Sequence, residues 1–328
     1  MTALAEQEEI TERIKIHYLI TAYSNQKHLT SLIESLKTRK AQVRFFVHYD
    51  KKSATPDKRA DGDVVFIDSI PVWWAGWSHQ QAIINLSEKS VSEGADWHIL
   101  LSGSDYPIRS NTDIILELQK GLEVITLRKG FFTDKPKERL EYYHFDGFDR
   151  RTKTLKTLFY LTIEHLLKQF HKRRIPLENV YHGTTWWALS QECLSYALKQ
   201  IREKRELVDF YKHSFCAEES LFHTIIGNSQ FRSRARKAWV YQDWDVNPGP
   251  GPITMANIRS VREQNQNEFF FARKFSESSR DIVEYINTFR SVSDVPDSND
   301  MLSSPAEVTP LAHRFALGRG FVARRPRE

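Results

Sequence analysis

The sequence predicts an α/β fold with a mostly parallel sheet over roughly the first 130 residues. Three observations predict it: apolar runs of strand length recur, segments with helical spacing lie between them, and polar residues follow each apolar run. The composition is that of a globular protein, with 328 residues of which 40% are hydrophobic and 27% charged. The chain is therefore long enough for one large domain or two small ones.

The predicted elements follow the order strand, helix, strand, strand, helix, strand. Residues 14–24 form a buried-strand run, and residues 26–40 place leucines at helical spacing. Residues 41–53 and the stretch GDVVFIDS are the next two strands. The stretch SHQQAIINLSEKSVS is the second helix, and residues 96–108 hold a fourth strand. Strands that alternate with helices in this way indicate a parallel sheet.

Polar residues end these strand runs, and in open α/β sheets ligands bind at the carboxyl ends of the strands. The residues concerned are Tyr23, Asp50, Lys51, Lys52, Ser104 and Asp105. They are candidate ligand-binding residues, although polar strand ends also occur where nothing binds.

Residues 150–174 predict a long amphipathic helix that is rich in lysine, arginine and histidine. Such a helix can lie on an anionic membrane. It can equally pack its apolar side against the core and leave a basic face in solvent. The sequence leaves both interpretations open.

The stretch NEFFFARKFSES, residues 267–278, seats Arg273 and Lys274 inside an apolar run. One interpretation is a surface strand whose cations point to solvent. The other is a pair of cations that meets an anion at the edge of the core.

The net charge of +5 permits an anionic ligand but does not require nucleic acid. Cys193 and Cys216 have no metal-binding spacing, which favours a reducing compartment. The acidic N-terminal stretch lacks the features of a secretory signal, and no apolar run is long enough to cross a membrane. We expect a cytoplasmic protein, with possible peripheral contact on the inner face of the cytoplasmic membrane.

Four stretches, DWHILLSGSDYPIRSN, RRIPLENVYHGTTWWALSQE, CAEESLFHTIIGNS and FFFARKF, occur in this order. Together they resemble the core-2/I-branching glycosyltransferase family, and their sequences are most similar to its peptide O-xylosyltransferase branch. The resemblance covers residues 14–290. It implies one GT-A domain over residues 1–290, with a donor half at 14–130 and an acceptor half at 131–290. Residues 291–328 are expected to be a mobile, arginine-rich tail.

The resemblance implies an inverting transferase that moves N-acetylglucosamine or xylose from a UDP-sugar to a hydroxyl. The acceptor would be a glycan, a lipid-linked glycan or a protein. In the family, the Arg-Lys pair of the ARKF segment contacts the donor diphosphate in place of a metal, which here implicates Arg273 and Lys274. Fixed cations in an apolar surround suit this role, because a leaving diphosphate gains negative charge. The family pattern makes Glu219 the catalytic base.

The resemblance assigns weaker roles to other positions. Asp50, Asp105 and Tyr23 are expected at the donor. The expected sugar or acceptor pocket comprises Trp77, Trp186, Trp187, Glu218 and Trp244, although Trp186 and Trp187 could equally belong to the core. Ala75 stands where the family has a glycine, which leaves the shape of that loop open.

No metal or other cofactor is expected. Asp243 and Asp245 have the Asp-x-Asp form that binds manganese in other GT-A enzymes, but they lie far downstream of its usual place. Two rival functions stay open. One is a non-catalytic relative that binds nucleotide-sugars or glycans, and the other is a basic scaffold on a membrane surface.

Overall fold

The computed structural model describes residues 13–53, 62–176, 178–244, 249–264 and 266–290. Its strands are β1 (Lys15–Ala22), β2 (Gln42–Tyr49), β3 (Val64–Phe66), β4 (Trp97–Ser102), β5 (Asp105–Pro107), β6 (Glu123–Val124), β7 (Arg128–Lys129), β8 (Tyr181–His182), β9 (Ala188–Ser190), β10 (Ala235–Arg236), β11 (Val240–Gln242) and β12 (Phe271–Arg273). Its α-helices are α1 (Gln26–Leu36), α2 (Trp77–Glu93), α3 (Asn111–Leu118), α4 (Glu138–Glu141), α5 (Leu155–Phe170), α6 (Gln191–Glu203), α7 (Arg205–Tyr211), α8 (Leu221–Gly227), α9 (Met255–Glu263) and α10 (Arg280–Arg290).

A seven-stranded sheet forms the centre, in the order β10-β6-β9-β4-β1-β2-β3. The strands β3, β2, β1 and β4 are mutually parallel, whereas β9 runs antiparallel to both β4 and β6. The order 3-2-1-4 is that of a doubly wound nucleotide-binding sheet, whose ligand crevice lies beside the first strand at the carboxyl edge. The mostly parallel α/β architecture that the sequence predicts is therefore present.

The strand register aligns the carboxyl ends that carry the polar residues. Ala22 pairs with Tyr49 of β2, and Thr21 pairs with Ser102 of β4. Most residues of β1 and all of β4 are buried, which explains why these strands read as continuous apolar runs. Tyr23, Asp50 and Ser104 consequently leave the sheet at one edge.

A second, three-stranded sheet in the order β11-β12-β5 accounts for the apolar run that contains the two cations. Strand β12 pairs antiparallel with β5 and parallel with β11. Phe271, Ala272 and Phe275 are buried in it, so most of this run belongs to the core. The buried residues Ile258 of α9 and Ile286 of α10 form one apolar cluster with Ala272 and Phe275, whereas Phe271 belongs to the main core.

Helix α5 lies where the sequence predicts a helix. Its rotation differs from the one that packing of the apolar side against the core would require. Its inward side holds the buried Thr157 and the ion-paired Glu164. Leu155, Leu158 and Phe159 are instead exposed. The interpretation that its apolar side faces the core is therefore wrong, because Thr157, Glu164 and the stacking of Tyr160 on Phe148 hold the opposite side of the helix to the protein.

In the part of the chain that the structure describes, no helix has both the length and the hydropathy needed to cross a membrane. The predicted mobile tail, residues 291–328, lies outside the described residues.

Candidate active site

The three-stranded sheet, which begins just after the carboxyl end of β4, brings Arg273 to Asp105. The two residues are cross-strand neighbours in the antiparallel pairing of β12 with β5. The Nε atom of Arg273 lies 3.3 Å from Oδ1 of Asp105, and the backbone N–H of Ser102 donates to Oδ2 at 2.9 Å. Asp105 is completely buried, and burial raises the pKa of its carboxyl although Arg273 and Ser102 oppose the shift. The strand register thus fixes a cation at the expected ligand edge.

The guanidinium of Arg273 is held in a specific orientation. Its carbon lies 4.2 Å from the ring centroid of Trp186, a cation–π contact. Nη2 reaches Ser102 Oγ only at 3.5 Å, and Nε faces Asp105 at 3.3 Å as an ion pair without a hydrogen bond. The side chain is 13% exposed. Its remaining donors suit an anion that arrives from solvent.

Other polar groups surround this cation. Lys274 is exposed, and its pKa is lowered by partial burial and then by the positive charges of Arg273 and Arg151. Tyr23, which is 65% exposed, lies within electrostatic range of both arginines. A lysine whose pKa is lowered by two neighbouring arginines lies in a positive field that would attract an anion.

Asp50 is engaged with its own loop. Its Oδ1 accepts the backbone N–H groups of Lys52 at 2.9 Å and Val72 at 3.2 Å, and Oδ2 pairs with Lys52 Nζ at 2.5 Å. Asp50 is 7% exposed. It therefore fixes the loop at the end of β2, and Lys52 lies over the ring of Trp73 at 4.6 Å.

Glu219 ends a short 3-10 turn, Ala217–Glu219, that precedes α8. Its Oε2 forms ion pairs with the Nζ of Lys135 and, at 2.6 Å, with Nη1 of Arg139. The Glu219 side chain is 21% exposed, so one side of the carboxylate is open to solvent. The expected base is therefore placed between two cations.

The loop between β8 and β9 connects the two charged clusters. The backbone N–H of Gly183 donates to the carbonyl of Glu219 at 3.0 Å, and Trp186 lies under Arg273. Gly183 and Trp186 are three residues apart, so the chain between them spans at most about 10 Å. Gly183 has no room for a side chain, because a Cβ would lie 2.2 Å from the Thr126 carbonyl oxygen. A glycine is thus required where the loop passes Glu219.

The two adjacent tryptophans have different surroundings. Trp187 is 1% exposed and packs against Phe222, with ring centroids 5.7 Å apart, so it belongs to the core. Trp186 is 4% exposed and belongs to the same core cluster, and its ring also carries the contact with Arg273. Trp77 is partly buried at the start of α2, where its Nε1 donates to Gln81. Trp244 is 61% exposed.

Glu218 points away from the position of Glu219. It is 7% exposed, and its Oε1 lies 3.3 Å from His79 Nδ1. Burial opposes ionisation, but the hydrogen bond and charge of His79 leave the pKa of Glu218 lowered. The nearby Ala75 adopts φ 60° and its carbonyl accepts the N–H of Cys216 at 3.1 Å. The loop thus takes a left-handed conformation without the glycine that is expected there.

A pocket of about 530 Å³ adjoins this cluster through Arg139. Phe215, Tyr142 and Tyr143 form its aromatic wall, and α5 contributes Leu161. Aromatic faces of this kind suit the C–H surfaces of a sugar. Glu219 itself does not line this pocket, which reaches the cluster through Arg139.

Among the described residues, no group of three or more metal-ligating side chains converges. Asp243 accepts a hydrogen bond from Asn257 at 2.9 Å. Asp245, the other half of the Asp-x-Asp pattern, lies outside the described residues.

Sequence reasoning did not single out Lys135, Arg139 or Arg151. Lys135 and Arg139 lie some eighty positions before Glu219, in a stretch, KPKER, that reads as an ordinary solvated charge run. Spacing carries no signal for such a contact, because only the fold brings the segments together.

A sequence profile described as "Core-2/I-Branching enzyme" matches residues 16–270. The chain belongs to the Core-2/I-Branching enzyme family. The matched span contains the Glu219 cluster and Asp105, whereas Arg273 and Lys274 follow three and four residues after its end.

Curated relatives agree with this family at low identity. The chain is 24% identical over 226 residues to the mouse protein named beta-1,3-galactosyl-O-glycosyl-glycoprotein beta-1,6-N-acetylglucosaminyltransferase 3, covering 64% of this chain and 46% of that protein. It is 25% identical over 191 residues to a beta-1,6-N-acetylglucosaminyltransferase of bovine herpesvirus 4, covering 55% and 40%. It is 26% identical over 198 residues to rat xylosyltransferase 2, covering 56% and 21%. The matches thus span about half or less of these curated Core-2/I-Branching relatives.

Proposed function

We propose that this protein is an inverting glycosyltransferase of GT-A type that transfers N-acetylglucosamine or xylose from a UDP-sugar to a hydroxyl group. The observation that carries the proposal is the placement of Arg273, which the strand register fixes beside Asp105 and Trp186 at the carboxyl edge of a 3-2-1-4 sheet. The names of the relatives support the reaction class and both sugars.

Arg273 and Lys274 bind the donor diphosphate in this proposal. The guanidinium can form two parallel hydrogen bonds to phosphate oxygens, and the lysine adds a second charge. As the glycosidic bond breaks, the leaving diphosphate gains negative charge that these fixed cations stabilise. Asp105 and Trp186 hold Arg273 in place, and Tyr23 and Asp50 line the nucleotide side. No divalent metal is needed for this step.

Glu219 accepts the proton of the acceptor hydroxyl as its oxygen attacks the anomeric carbon from the face opposite the diphosphate. A weak base is sufficient here, because the hydroxyl becomes strongly acidic once its oxygen begins to bond to carbon. Lys135 and Arg139 orient the carboxylate, and the aromatic pocket beside Arg139 receives the acceptor, a glycan, a lipid-linked glycan or a protein.

The double ion pair of Glu219 also favours a second candidate, a non-catalytic relative that binds the nucleotide-sugar without turnover. The two candidates differ in one observable. An enzyme releases UDP from the UDP-sugar, with water as a slow acceptor where no other is present, whereas a binding protein returns the donor intact.

We further propose a reducing compartment such as the cytoplasm. Cys193 and Cys216 are both unpaired and buried, and burial raises the pKa of each thiol.

The test is calorimetric titration with a panel of UDP-sugars in EDTA. Binding of one donor without metal, together with UDP release, supports the enzyme and identifies its sugar. Binding that appears only when manganese is added would contradict the assigned diphosphate site. Binding without any release of UDP would favour the non-catalytic relative.

A further inference from the structure

Helix α5 presents an apolar surface to solvent. Of the ten large apolar side chains that are exposed in the described residues, six belong to this helix. They are Leu155, Leu158, Phe159, Leu161, Leu166 and Phe170, with exposures from 38% to 89%. Most of them follow helical spacing, so they form an apolar stripe along one face, with the exposed Thr162 near its middle. Scattered exposed leucines are common in proteins, but a stripe of this kind marks an interaction surface.

The helix is attached on its opposite side by polar contacts and by Tyr160, which stacks on Phe148 with ring centroids 5.0 Å apart. Glu164 forms an ion pair with Arg150 at 2.5 Å and accepts the backbone N–H of Phe145 at 2.7 Å. Thr157 is buried and bonds to the carbonyl of Asp149. These contacts fix the rotation of the helix, and the apolar stripe cannot turn inward while they persist.

Charge indicates what covers the stripe. Exposed cations flank it along the helix and at both ends: Lys153, Lys156, Lys168, Lys172 and Arg174. The only acidic residue between Leu155 and Phe170 is Glu164, which is paired on the inward side. An apolar stripe bordered by lysines complements a lipid bilayer with anionic headgroups, since the side chains enter the acyl boundary and the ammonium groups meet the phosphates.

We propose that α5 docks this protein on an anionic membrane surface, with the stripe inserted into the headgroup layer. The docking itself does not depend on the proposed function. One consequence does rest on it: Leu161 and Lys168 of α5 also line the pocket beside Arg139, so the docked protein would take its acceptor hydroxyl from a lipid-linked molecule.

The test is flotation of the full chain with vesicles of phosphatidylcholine alone or with about one third phosphatidylglycerol. A triple variant, Leu158→Gln, Phe159→Gln and Leu166→Gln, removes the centre of the stripe. The matched control is Leu116→Gln, because Leu116 is 55% exposed on a different helix, α3. We expect binding to anionic vesicles that weakens with salt, and at least a tenfold loss in the triple variant but not in the control.

Three outcomes would overturn the proposal: no flotation with anionic vesicles at low salt, equal flotation with neutral vesicles, or a triple variant that floats like the parent. A parent that is dimeric in light scattering and becomes monomeric in the triple variant, without vesicle binding, would assign the stripe to a second copy. UDP-sugar titration on the same samples separates the two proposals. Donor binding without flotation refutes only membrane docking, and flotation without donor binding refutes only the proposed function.

Discussion

The two charged clusters of the candidate active site have opposite arrangements of charge. At Arg273, a fully buried carboxylate holds a cation that keeps part of its surface open. At Glu219, two cations hold a carboxylate that keeps part of its surface open. In each cluster the partner fixes the orientation, and the group left facing solvent decides what can bind. The first cluster suits an anionic diphosphate, and the second suits a hydroxyl that loses a proton.

The largest expected effect comes from removing the carboxylate charge of the second cluster. Glu219→Gln should lower transfer by about 10²- to 10⁴-fold, the usual contribution of a general base, and leave donor binding intact. UDP release and calorimetry measure the two quantities separately. The matched control is Glu218→Gln, which breaks the contact with His79 and should mainly lower stability. If Glu218→Gln stops UDP release while Glu219→Gln does not, the base has been misassigned.

Arg273→Lys tests the first cluster, where a cation faces the proposed diphosphate. It keeps the charge but loses the planar fork and the contact with Trp186, and we expect UDP affinity to fall by roughly ten- to a hundredfold. Lys274→Arg, at the neighbouring exposed position, should change UDP affinity much less. Calorimetry in EDTA measures both constants, and equal affinities in the two variants would remove Arg273 from the diphosphate site.

The ion pair between Glu164 and Arg150 lies outside both clusters and tests how much a buried pair contributes to the stability of the fold. Glu164→Gln should reduce the free energy of unfolding by about 3 kcal/mol, because it leaves Arg150 buried without its partner. Glu284→Gln, at a highly exposed pair with Arg280, should cost less than about 0.5 kcal/mol. Denaturant unfolding measures both, and a similar cost for the two variants would contradict the assigned anchoring of α5.

The same pair predicts a pH dependence. Burial opposes ionisation of Glu164, but His144, Arg150 and the N–H of Phe145 lower its pKa from 4.5 to about 2. Because the folded-state pKa is the lower one, the stabilisation is complete above the unfolded value and is lost as the pH falls towards 2. The stability difference between the parent and Glu164→Gln should therefore shrink between about pH 5 and pH 2. A constant difference over this range would refute the ion pair.

The smallest expected effect concerns the loop beside Glu218. Ala75 has φ 60°, which costs a residue with a Cβ about 1 kcal/mol. Glycine relieves this strain but raises the entropy of the unfolded chain, so Ala75→Gly should change stability by less than about 1 kcal/mol. Ala82→Gly inside α2 is the control and should destabilise by more than that. Thermal unfolding compares them, and a large loss in Ala75→Gly would show that the loop needs the methyl group.

Much of the fold was predictable because local patterns determine it. The alternation of apolar runs with helical spacing located β1, α1, β2, α2 and β4 to within a few residues. Polar residues after these runs located the sheet edge, because side chains at the carboxyl ends of parallel strands cannot be far apart. The sequences of the four motifs indicated the family, and the profile match to residues 16–270 establishes it.

By itself, the sequence determined the α/β class, the family and the positions of the candidate residues along the chain. The tertiary structure decided which of them meet. The pairing of β12 with β5 brings Arg273 to Asp105 across 168 positions, and the segment with Lys135 and Arg139 reaches Glu219 across about eighty. It also decided that α5 turns its apolar side outward. Periodicity shows that a helix has two faces, but only the buried partner of Glu164 shows which face is inside.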